Sequence, residues 1–419
     1  MAFALLGAGF DIESMMLVAA ELSGPRPLEL YSELNQESLF RYPYPPGFLA
    51  WIGPTDLIAD RTPLPFHGVI QVPAILANAG LALVVQAYLG ARGSGERTRL
   101  LAAGAVVLGP VFVAISGYHG QIDALAILPA VIALVVWEGR SSTVLGILRP
   151  NGSWGSGLAI RLDGDRIQRA LACGLLIGIG ASIKTVPLFL LVALAPSARS
   201  WREAALLVGG ALAVPLLLLT PFLIADPSGV ETLRQYRGLP GLGGLSLAVQ
   251  PDLAIDWIVD GHPQLNAASE FLYEHSNSIV SLVPLGVLAF VIRIRPSPLD
   301  SAVLLWLAIY AFAPNPVFQY LIWGIPFFLM AGHLRGTVLL QAVVLVPILI
   351  AYLAPMPTGI AAVYLPIMLG VWAGFVVALF RLGRRAIDNH REVPYAQAMR
   401  GNSGVAPVSG ALRKPSRRP

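Results

Sequence analysis

Four short sets of residues in this sequence contain carboxylates, a cation, amides and aromatic rings. Side chains of these types can act on phosphates and hydroxyls. The four sets are Asp11; His119, Gln121 and Asp123; Lys184; and Gln319, Tyr320 and Trp323. A carboxylate can take the proton of an attacking hydroxyl, and a cation can stabilise the charge on a departing phosphate. The residue types therefore suit transfer of a group from a phosphate to a hydroxyl.

Lys184 is the most informative of these residues. It is the only lysine before Lys414, and it lies inside the apolar run from Ala170 to Leu194. A lysine at membrane depth costs about 2.5–3.5 kcal/mol on insertion scales unless it has a partner or water. An anionic group approaching from one face of the membrane would be such a partner. The alternative is a lysine that extends to the nearer interface, with its stem along apolar surface.

The polar residues of the first two groups each have an ordinary structural alternative. Asp11 is a loop carboxylate, and most loop carboxylates are only solvated. Gly117–Asp123 forms a tight connection between two apolar stretches, which places His119, Gln121 and Asp123 near the outer membrane surface. Gln121 and Asp123 can instead cap the helix that follows them.

The group near residue 320 combines an amide with two aromatic side chains. Gln319 and Trp323 share one face at helical spacing, which predicts an amide and an indole directed toward one cavity. Tyr320 and Trp323 can instead be ordinary anchors at the membrane interface. Unrelated anchors need not collect at one leaflet beside a buried cation, and this coincidence favours a common site.

Composition identifies the elements that must position these residues. The chain has 419 residues, of which 56% are hydrophobic and 12% charged, with a mean hydropathy of +0.69. Soluble domains carry roughly 25% charged residues, so we predict an all-α polytopic membrane protein. Eleven apolar stretches are candidate crossings: 67–89, 98–117, 119–137, 169–183, 185–196, 203–224, 278–293, 299–313, 317–333, 336–354 and 359–381. Several are shorter than the roughly 20 residues of a full crossing, and 169–196 can be one long broken helix.

Arginines mark alternate connections between these stretches, which predicts orientation. If the spans alternate, most arginines are cytoplasmic, the C-terminus is cytoplasmic and the polar segments 11–66 and 226–277 face outward. The formal net charge of +4 then suits topology and anionic lipid heads rather than nucleic acid. We interpret Met1–Gly9 as the end of a truncated twelfth helix.

Two parts of the chain differ in character, a membrane domain over 1–381 and a basic tail over 382–419. The tail is rich in arginine, proline and glycine, and it lacks an apolar period, so we expect it to be disordered and cytoplasmic. Cys173 is the only cysteine, which excludes a disulfide framework and a cysteine-based metal cluster. His262 and His275 show no metal-ligand spacing and are predicted to be surface residues.

Cofactor needs follow from the absence of the usual motifs. The sequence has no nucleotide-binding glycine loop and no zinc motif. A lipid-linked phosphosugar carries its own leaving group and needs no nucleotide domain, so it is the donor that we expect, with its tail between helices. No cofactor is required by the sequence, and dependence on a divalent metal stays open.

Five motifs in register carry a family resemblance. They begin at Asp11, Tyr42, Gly120, Ser182 and Asn315, and they read DIE, YPYPPGFL, GQIDAL, SIKTVP and NPVFQYLIWGIP. In this order the chain resembles the GT-C membrane glycosyltransferases. It is most similar to polyprenyl-phosphate-mannose-dependent mannosyltransferases, including the glycosylphosphatidylinositol mannosyltransferase I family and the bacterial phosphatidylinositol-mannoside enzymes. The resemblance covers residues 11 to about 330.

The resemblance implies a GT-C fold, a polyprenyl-phosphate-hexose donor and inversion at the anomeric carbon. It implies Asp11 as the catalytic base, and Lys184, with Arg41, at the donor phosphate. The residues expected to line the substrate are Tyr44, His119, Gln121, Asp123, Gln319, Tyr320 and Trp323. The family has a complete helix before the first-loop acid, and here only Met1–Phe10 precede Asp11.

The expected function is transfer of a hexose, with mannose as first choice, to a lipid or glycan hydroxyl at the outer face of a bacterial plasma membrane. A transporter or flippase of a lipid-linked sugar is the alternative. It predicts paired repeats and ionisable residues near the bilayer midplane. No convincing repeat is present, and the polar residues collect toward one leaflet. An inactive scaffold in an envelope-assembly complex is the third possibility.

Overall fold

Helices form all the regular secondary structure that the structure describes. The computed structural model describes residues 9–35, 41–148, 163–261, 264–352 and 357–402. Over these ranges the all-α prediction is confirmed. The predicted twelfth helix at Met1–Gly9 falls almost wholly outside them.

Seven helices among the described residues are long and apolar enough to cross a membrane. They are Phe66–Ala91, Glu96–His119, Arg166–Ile183, Trp201–Ala225, Ser276–Ile294, Leu334–Tyr352 and Thr358–Arg391. Four shorter apolar helices are Asp123–Trp137, Val186–Ser197, Pro298–Phe312 and Phe318–Met330. Each of the eleven predicted stretches therefore overlaps one of these helices, and the protein is an integral membrane protein. The number of complete crossings stays a prediction.

The two polar segments between these helices are themselves built from short helices. The first contains Phe10–Leu22, Pro27–Glu29, Leu30–Leu34, Pro46–Phe48 and Leu49–Arg61. The second contains Pro227–Gln235, Gly244–Val249, Leu253–Val259 and Ala267–Glu274. Apolar side chains on these helices are buried, and a cluster around Tyr31, Tyr42 and Phe48 joins the first segment to Phe222 of a long helix. Both segments are therefore docked on the membrane helices.

Lys184 interrupts the apolar region 169–196. The Arg166–Ile183 helix begins at Asp165, whose side chain accepts from the amides of Ile167 and Gln168. Lys184 then has an extended backbone, with φ −151° and ψ 133°. The chain continues as the tight 3₁₀ turn Val186–Leu190, in which Pro187 lacks an amide hydrogen. The region is therefore a broken helix, with the lysine at the break.

Close helix packing fixes the position of that break. A Cβ added to Gly174 would lie 2.5 Å from the carbonyl oxygen of Leu207, and one added to Gly178 would lie 2.8 Å from that of Gly210. The Arg166–Ile183 and Trp201–Ala225 helices can approach this closely only because these positions are glycine. Small residues serve the same purpose at helix contacts in membranes generally.

The last helix runs from Tyr364 to Asn402. Over 382–402 the structure therefore has a helix where we expected disorder, while 403–419 lies outside the described residues. The sequence after 381 contains several good helix formers, including arginine, alanine and glutamate, and its first proline is Pro394. A helix needs an apolar period in order to pack against its neighbours. A helix that is already packed can continue without one, because adding a residue to an existing helix needs no new nucleus.

Candidate active site

Asp11 lies in the first turn of the Phe10–Leu22 helix and belongs to a hydrogen-bonded cluster. Its Oδ2 atom accepts from Gln121 Nε2 at 2.6 Å and lies 2.5 Å from His119 Nε2. The side chain is 14% exposed, so it is not an ordinary solvated loop carboxylate. Ile12 anchors this helix, since its side chain lies against Gly120, where an added Cβ would meet it at 2.7 Å.

The surroundings of Asp11 favour its ionised form. Burial raises the pKa of the carboxyl, but four other effects together lower it further. These are the hydrogen bond and charge of His119, the charge of Lys184 and the hydrogen bond from Gln121. The pKa of Asp11 therefore lies below its usual value of 3.8, and the carboxylate is ionised at neutral pH.

An irregular connection brings His119, Gln121 and Asp123 into the cluster. Ile115–His119 is a single π-helical turn, a feature that often marks functional sites. Gly120 follows with φ +79°, a conformation that favours glycine, and the next helix begins at Asp123. No side chain caps that helix. The capping alternative for Gln121 and Asp123 is therefore wrong, because both side chains point into the cluster instead.

Lys184 is held by an internal carboxylate. Its ammonium group donates to Asp123 Oδ1 at 2.7 Å, and the indole of Trp323 donates to the same oxygen at 2.5 Å. The Asp123 side chain is fully buried and that of Lys184 is 11% exposed. The ammonium group of Lys184 is therefore buried against a carboxylate and is not extended into solvent. The partner that its burial demanded is Asp123, from the preceding helix of the cluster.

Three aromatic rings surround the ammonium group of Lys184. Its Nζ atom lies 5.2 Å from the ring centre of Tyr44, 5.6 Å from that of Tyr320 and 5.7 Å from that of Trp323. These distances allow cation–π attraction, which is strongest where water is excluded. Tyr320 and Trp323 are also stacked at 4.2 Å. The two rings therefore form a wall of the cluster, whether or not they also anchor the chain at the membrane interface.

Gln121 links the Asp11 side of the cluster to the Lys184 side. Its Nε2 atom donates to Asp11, while its Oε1 atom lies 3.5 Å from both Lys184 Nζ and the Tyr44 hydroxyl. Only one orientation of the amide satisfies a carboxylate acceptor and two donors together. Asp11, Gln121, Lys184 and Asp123 therefore form one continuous network.

Tyr44 is positioned by the tyrosine- and proline-rich motif at residue 42. A Cβ on Gly47 would lie 2.5 Å from the carbonyl oxygen of Ser182, so this segment lies directly against the end of the helix before Lys184. The backbone amide of the preceding Arg41 donates to the Leu34 carbonyl. The assignment of Arg41 to a donor phosphate stays a prediction.

The segment after residue 226 contributes a residue that the sequence analysis missed. Tyr236 shares a hydrogen bond with Tyr320, which also bonds Gln319. Burial and the charge of Asp11 raise the pKa of Tyr236 to about 12, so its hydroxyl is neutral. The Asn315 amide nitrogen donates to Gly238 O at 3.0 Å and holds this segment against the cluster. The only sequence signal for this role was an aromatic residue just before a glycine-rich stretch.

Two further residues were also missed. The Tyr352 ring lies 5.1 Å from that of His119. Gln71 is buried beside Gly120, and both its amide atoms lack a hydrogen-bond partner among the described residues, as does Asp123 Oδ2. Buried polar atoms of this kind are costly unless something binds them. Amides and tyrosines in apolar helices carry too weak a sequence signal to be selected alone.

Of the two histidines in the second polar segment, His275 is the one that lies among the described residues. His275 is exposed and stacks on Phe271 at 4.3 Å, as expected for a surface residue, and His262 lies outside the described residues. No group of three or more His, Cys, Asp or Glu side chains that could hold a metal ion occurs in the described part of the chain. Metal dependence stays untested.

The middle of the chain matches a known enzyme family. Residues 42–239 match the family model for glycosyltransferase family 87. The predicted resemblance to glycosyltransferases is confirmed by this match, which supports glycosyltransferase activity at the membrane. The matched range includes Tyr44, His119, Gln121, Asp123 and Lys184, whereas Asp11 and the residues near 320 lie outside it.

The chain also aligns with a solved structure over most of its length. It is the crystal structure of ArnT from Cupriavidus metallidurans in the apo state, at 16% sequence identity and a TM-score of 0.36. The match covers 90% of this chain and 76% of that one. No curated protein matches the sequence.

Proposed function

We propose that this protein transfers a hexose, with mannose as the first candidate, from a polyprenyl phosphate to a hydroxyl of a lipid or glycan. The reaction would take place at the outer face of the membrane and invert the anomeric carbon. The observation that carries the proposal is the single network that joins Asp11 to Lys184 through Gln121. In this network a carboxylate suited to the acceptor hydroxyl lies near a cation suited to the leaving phosphate, and the family match supports the same chemistry.

In this proposal Asp11 takes the proton of the acceptor hydroxyl. The acceptor oxygen forms a bond to the anomeric carbon, the bond from that carbon to the phosphate oxygen breaks, and polyprenyl phosphate leaves with the bonding electrons. The described hydrogen bonds to Asp11 converge on Oδ2, so Oδ1 is the oxygen that would face the hydroxyl. A carboxylate of low pKa is a weak base, and it acts late, once sugar transfer has made the hydroxyl proton acidic.

Lys184 would stabilise the leaving phosphate, together with a second cation. The ion pair of Lys184 with Asp123 is neutral as a whole, so it cannot by itself balance the charge of a phosphodiester. Arg41 precedes the Tyr42–Gly47 motif that carries Tyr44 to the cluster, and we assign the second positive charge to it. The aromatic wall of Tyr44, Tyr320 and Trp323 excludes water, which strengthens electrostatic interactions at the phosphate.

The decisive experiment compares two carboxylates of one helix. Membranes containing the protein would be given radiolabelled polyprenyl-phosphate mannose, and labelled products would be separated by chromatography. Asp11→Asn should lower transfer by roughly 10²- to 10⁴-fold, the usual contribution of a general base. Glu13→Gln, an exposed residue of the same first turn, is the matched control and should stay within about twofold of the unchanged protein.

Other outcomes would correct different parts of the proposal. Normal transfer by Asp11→Asn would remove the base role. Transfer from another polyprenyl-phosphate hexose but not from the mannose donor would keep the reaction and change the sugar. Movement of the labelled lipid across a liposome membrane without a new glycosidic bond would replace the transferase with the flippase alternative.

A further inference from the structure

The last long helix borders a large groove that the candidate active site does not use. The groove has a volume of about 830 Å³ and lies between the helices Pro298–Phe312, Leu321–Met330, Leu334–Tyr352 and Tyr364–Asn402. We call it the C-terminal groove. Its walls are mainly apolar and include Leu307, Phe328, Leu340, Val371, Phe375 and Leu382. The volume lies within the range of about 300–1,000 Å³ that ligand sites occupy.

Basic residues collect at one end of the C-terminal groove. His333, Arg381 and Arg385 line it, and no acidic residue does. Within the described part of the chain, neither arginine has an ion pair or a side-chain hydrogen bond, and the nearest acid along the helix, Asp388, is exposed. Two unpaired guanidinium groups beside an apolar groove are complementary to a phosphate attached to hydrocarbon chains.

The basic end lies far from the candidate active site. Tyr352, which touches His119, ends a 19-residue helix that begins one residue after His333. At 1.5 Å per residue this helix separates the two ends by about 28 Å, close to the thickness of a membrane interior. The groove's basic end therefore lies at the opposite face of the membrane from Asp11, and it is not the place where a sugar donor would react.

The floor of the groove is open because it contains glycines. Gly336, Gly370 and Gly374 line it, and a Cβ added at any of these positions would meet nothing within 4 Å. These glycines are not needed for close helix packing, in contrast to Gly174. A second groove, of about 680 Å³, flanks the other side of the same helix and is lined by Arg384. About one turn of the last helix therefore presents three arginines, Arg381, Arg384 and Arg385, between two mainly apolar grooves.

We propose that the C-terminal groove is a binding site for an anionic glycerophospholipid. Its headgroup phosphate would lie between Arg381, Arg385 and His333, and an acyl chain would lie over the glycine floor. A neutral lipid of the same chain length would fill the apolar part equally well but would leave the guanidinium groups unpaired. The preference for an anionic headgroup is therefore the distinguishing property of this site.

The test measures lipid binding, not sugar transfer, so it is independent of the proposed function. The full-length protein would be purified in detergent, stripped of lipid, and given phosphatidylglycerol or phosphatidylcholine with identical chains. Bound lipid is counted by native mass spectrometry, and the unfolding temperature is followed in parallel. Phosphatidylglycerol should bind roughly tenfold more tightly or better, because two arginines face one anionic headgroup.

Variants then separate the headgroup from the groove. The double change Arg381→Gln with Arg385→Gln should abolish the preference. Arg293→Gln is the matched control, because Arg293 lies at the same end of the bundle and lines neither groove. Gly374→Leu fills the floor and should weaken binding of both lipids. Equal affinity for the two lipids in the unchanged protein, or equal loss of preference in the double variant and the control, would overturn the proposal.

Discussion

Gln121 is the residue on which the organisation of the candidate active site depends. Its amide nitrogen donates to the proposed base, and its amide oxygen faces Lys184 and Tyr44. A glutamine can serve both sides because it carries a donor and an acceptor on one planar group. Any other side chain of similar size would lose the donor, the acceptor or both, which makes Gln121 a sensitive position for testing the network.

The change Gln121→Glu should alter the pH dependence of transfer. In the unchanged protein the pKa of Asp11 lies below its usual value, so Asp11 stays ionised and contributes no acid limb between about pH 5 and 8. The new carboxylate would remove a hydrogen-bond donor and repel the charge on Asp11, which raises the Asp11 pKa. As the solution is acidified, the rate of the variant should therefore begin to fall at a higher pH than the rate of the unchanged protein. Profiles of kcat/KM against pH check this, and identical acid limbs in the two proteins would contradict it.

Substitutions of Lys184 and Asp123 should have coupled effects on the free energy of unfolding. Lys184→Met leaves a fully buried carboxylate without its cation, and Asp123→Asn leaves the ammonium without its anion. Each single change should cost about 3–5 kcal/mol, the penalty for an uncompensated buried charge. The double variant should recover most of this loss while transfer stays abolished. Unfolding measured in detergent supplies the cycle, and additive costs would show that the two residues act independently.

At the scale of elements, the site depends on the close contact between the Tyr42–Gly47 segment and the helix that ends before Lys184. Tyr44 comes from the first and Lys184 follows the second. Gly47 lies where the two meet, against the carbonyl and the hydroxyl of Ser182. The distance between the Tyr44 ring and the ammonium group of Lys184 is therefore set by backbone packing, not by either side chain alone.

Gly47→Ala should disturb this contact and lower both stability and transfer. The added methyl would lie 2.5 Å from the backbone oxygen of Ser182, so one element must shift. Overpacking of this kind costs about 1–3 kcal/mol. Gly53→Ala is the matched control. Gly53 lies in the neighbouring Leu49–Arg61 helix, and a Cβ added there would meet nothing within 4 Å. Alanine is favoured over glycine inside a helix by up to about 1 kcal/mol. Equal effects of the two changes on transfer would show that the contact is unimportant.

The whole molecule has two ends of different chemistry. Asp11 and its cluster lie at one end of the helices, and His333, Arg381 and Arg385 lie at the other. The positive-inside rule predicts that the arginine-rich end faces the cytoplasm. With this orientation the proposed site for the lipid-linked substrate and the proposed site for an anionic membrane lipid would lie at opposite faces and would not compete.

Labelling of introduced cysteines tests this orientation. Cys173, the natural cysteine, is buried, so background labelling should be low. In intact cells, a membrane-impermeant thiol reagent should label Asp60→Cys, at the exposed end of the Leu49–Arg61 helix, and should not label Arg335→Cys. Both should react after the cells are opened. Protection of Asp60→Cys in intact cells would reverse the assigned orientation and place the proposed reaction in the cytoplasm.

Sequence alone determined the helical stretches and the scarce polar residues within them. Apolar runs fix where helices form, because lipid requires every backbone amide to be bonded within its own segment. A rare charge in such a run, as at Lys184, must have a partner, and this necessity could be predicted. The carboxylates and the aromatic motif near 320 could be selected for the same reason.

Only the tertiary structure decided which residues satisfy these requirements. Lys184 bonds Asp123, 61 positions away, and Asp123 also bonds Trp323, 200 positions away. Tyr236 and Gln71 join or border the cluster without any distinctive local pattern. Such pairings depend on how helices pack, through contacts such as Gly47 on Ser182. A linear pattern records the need for a partner, whereas packing across the bundle determines its identity.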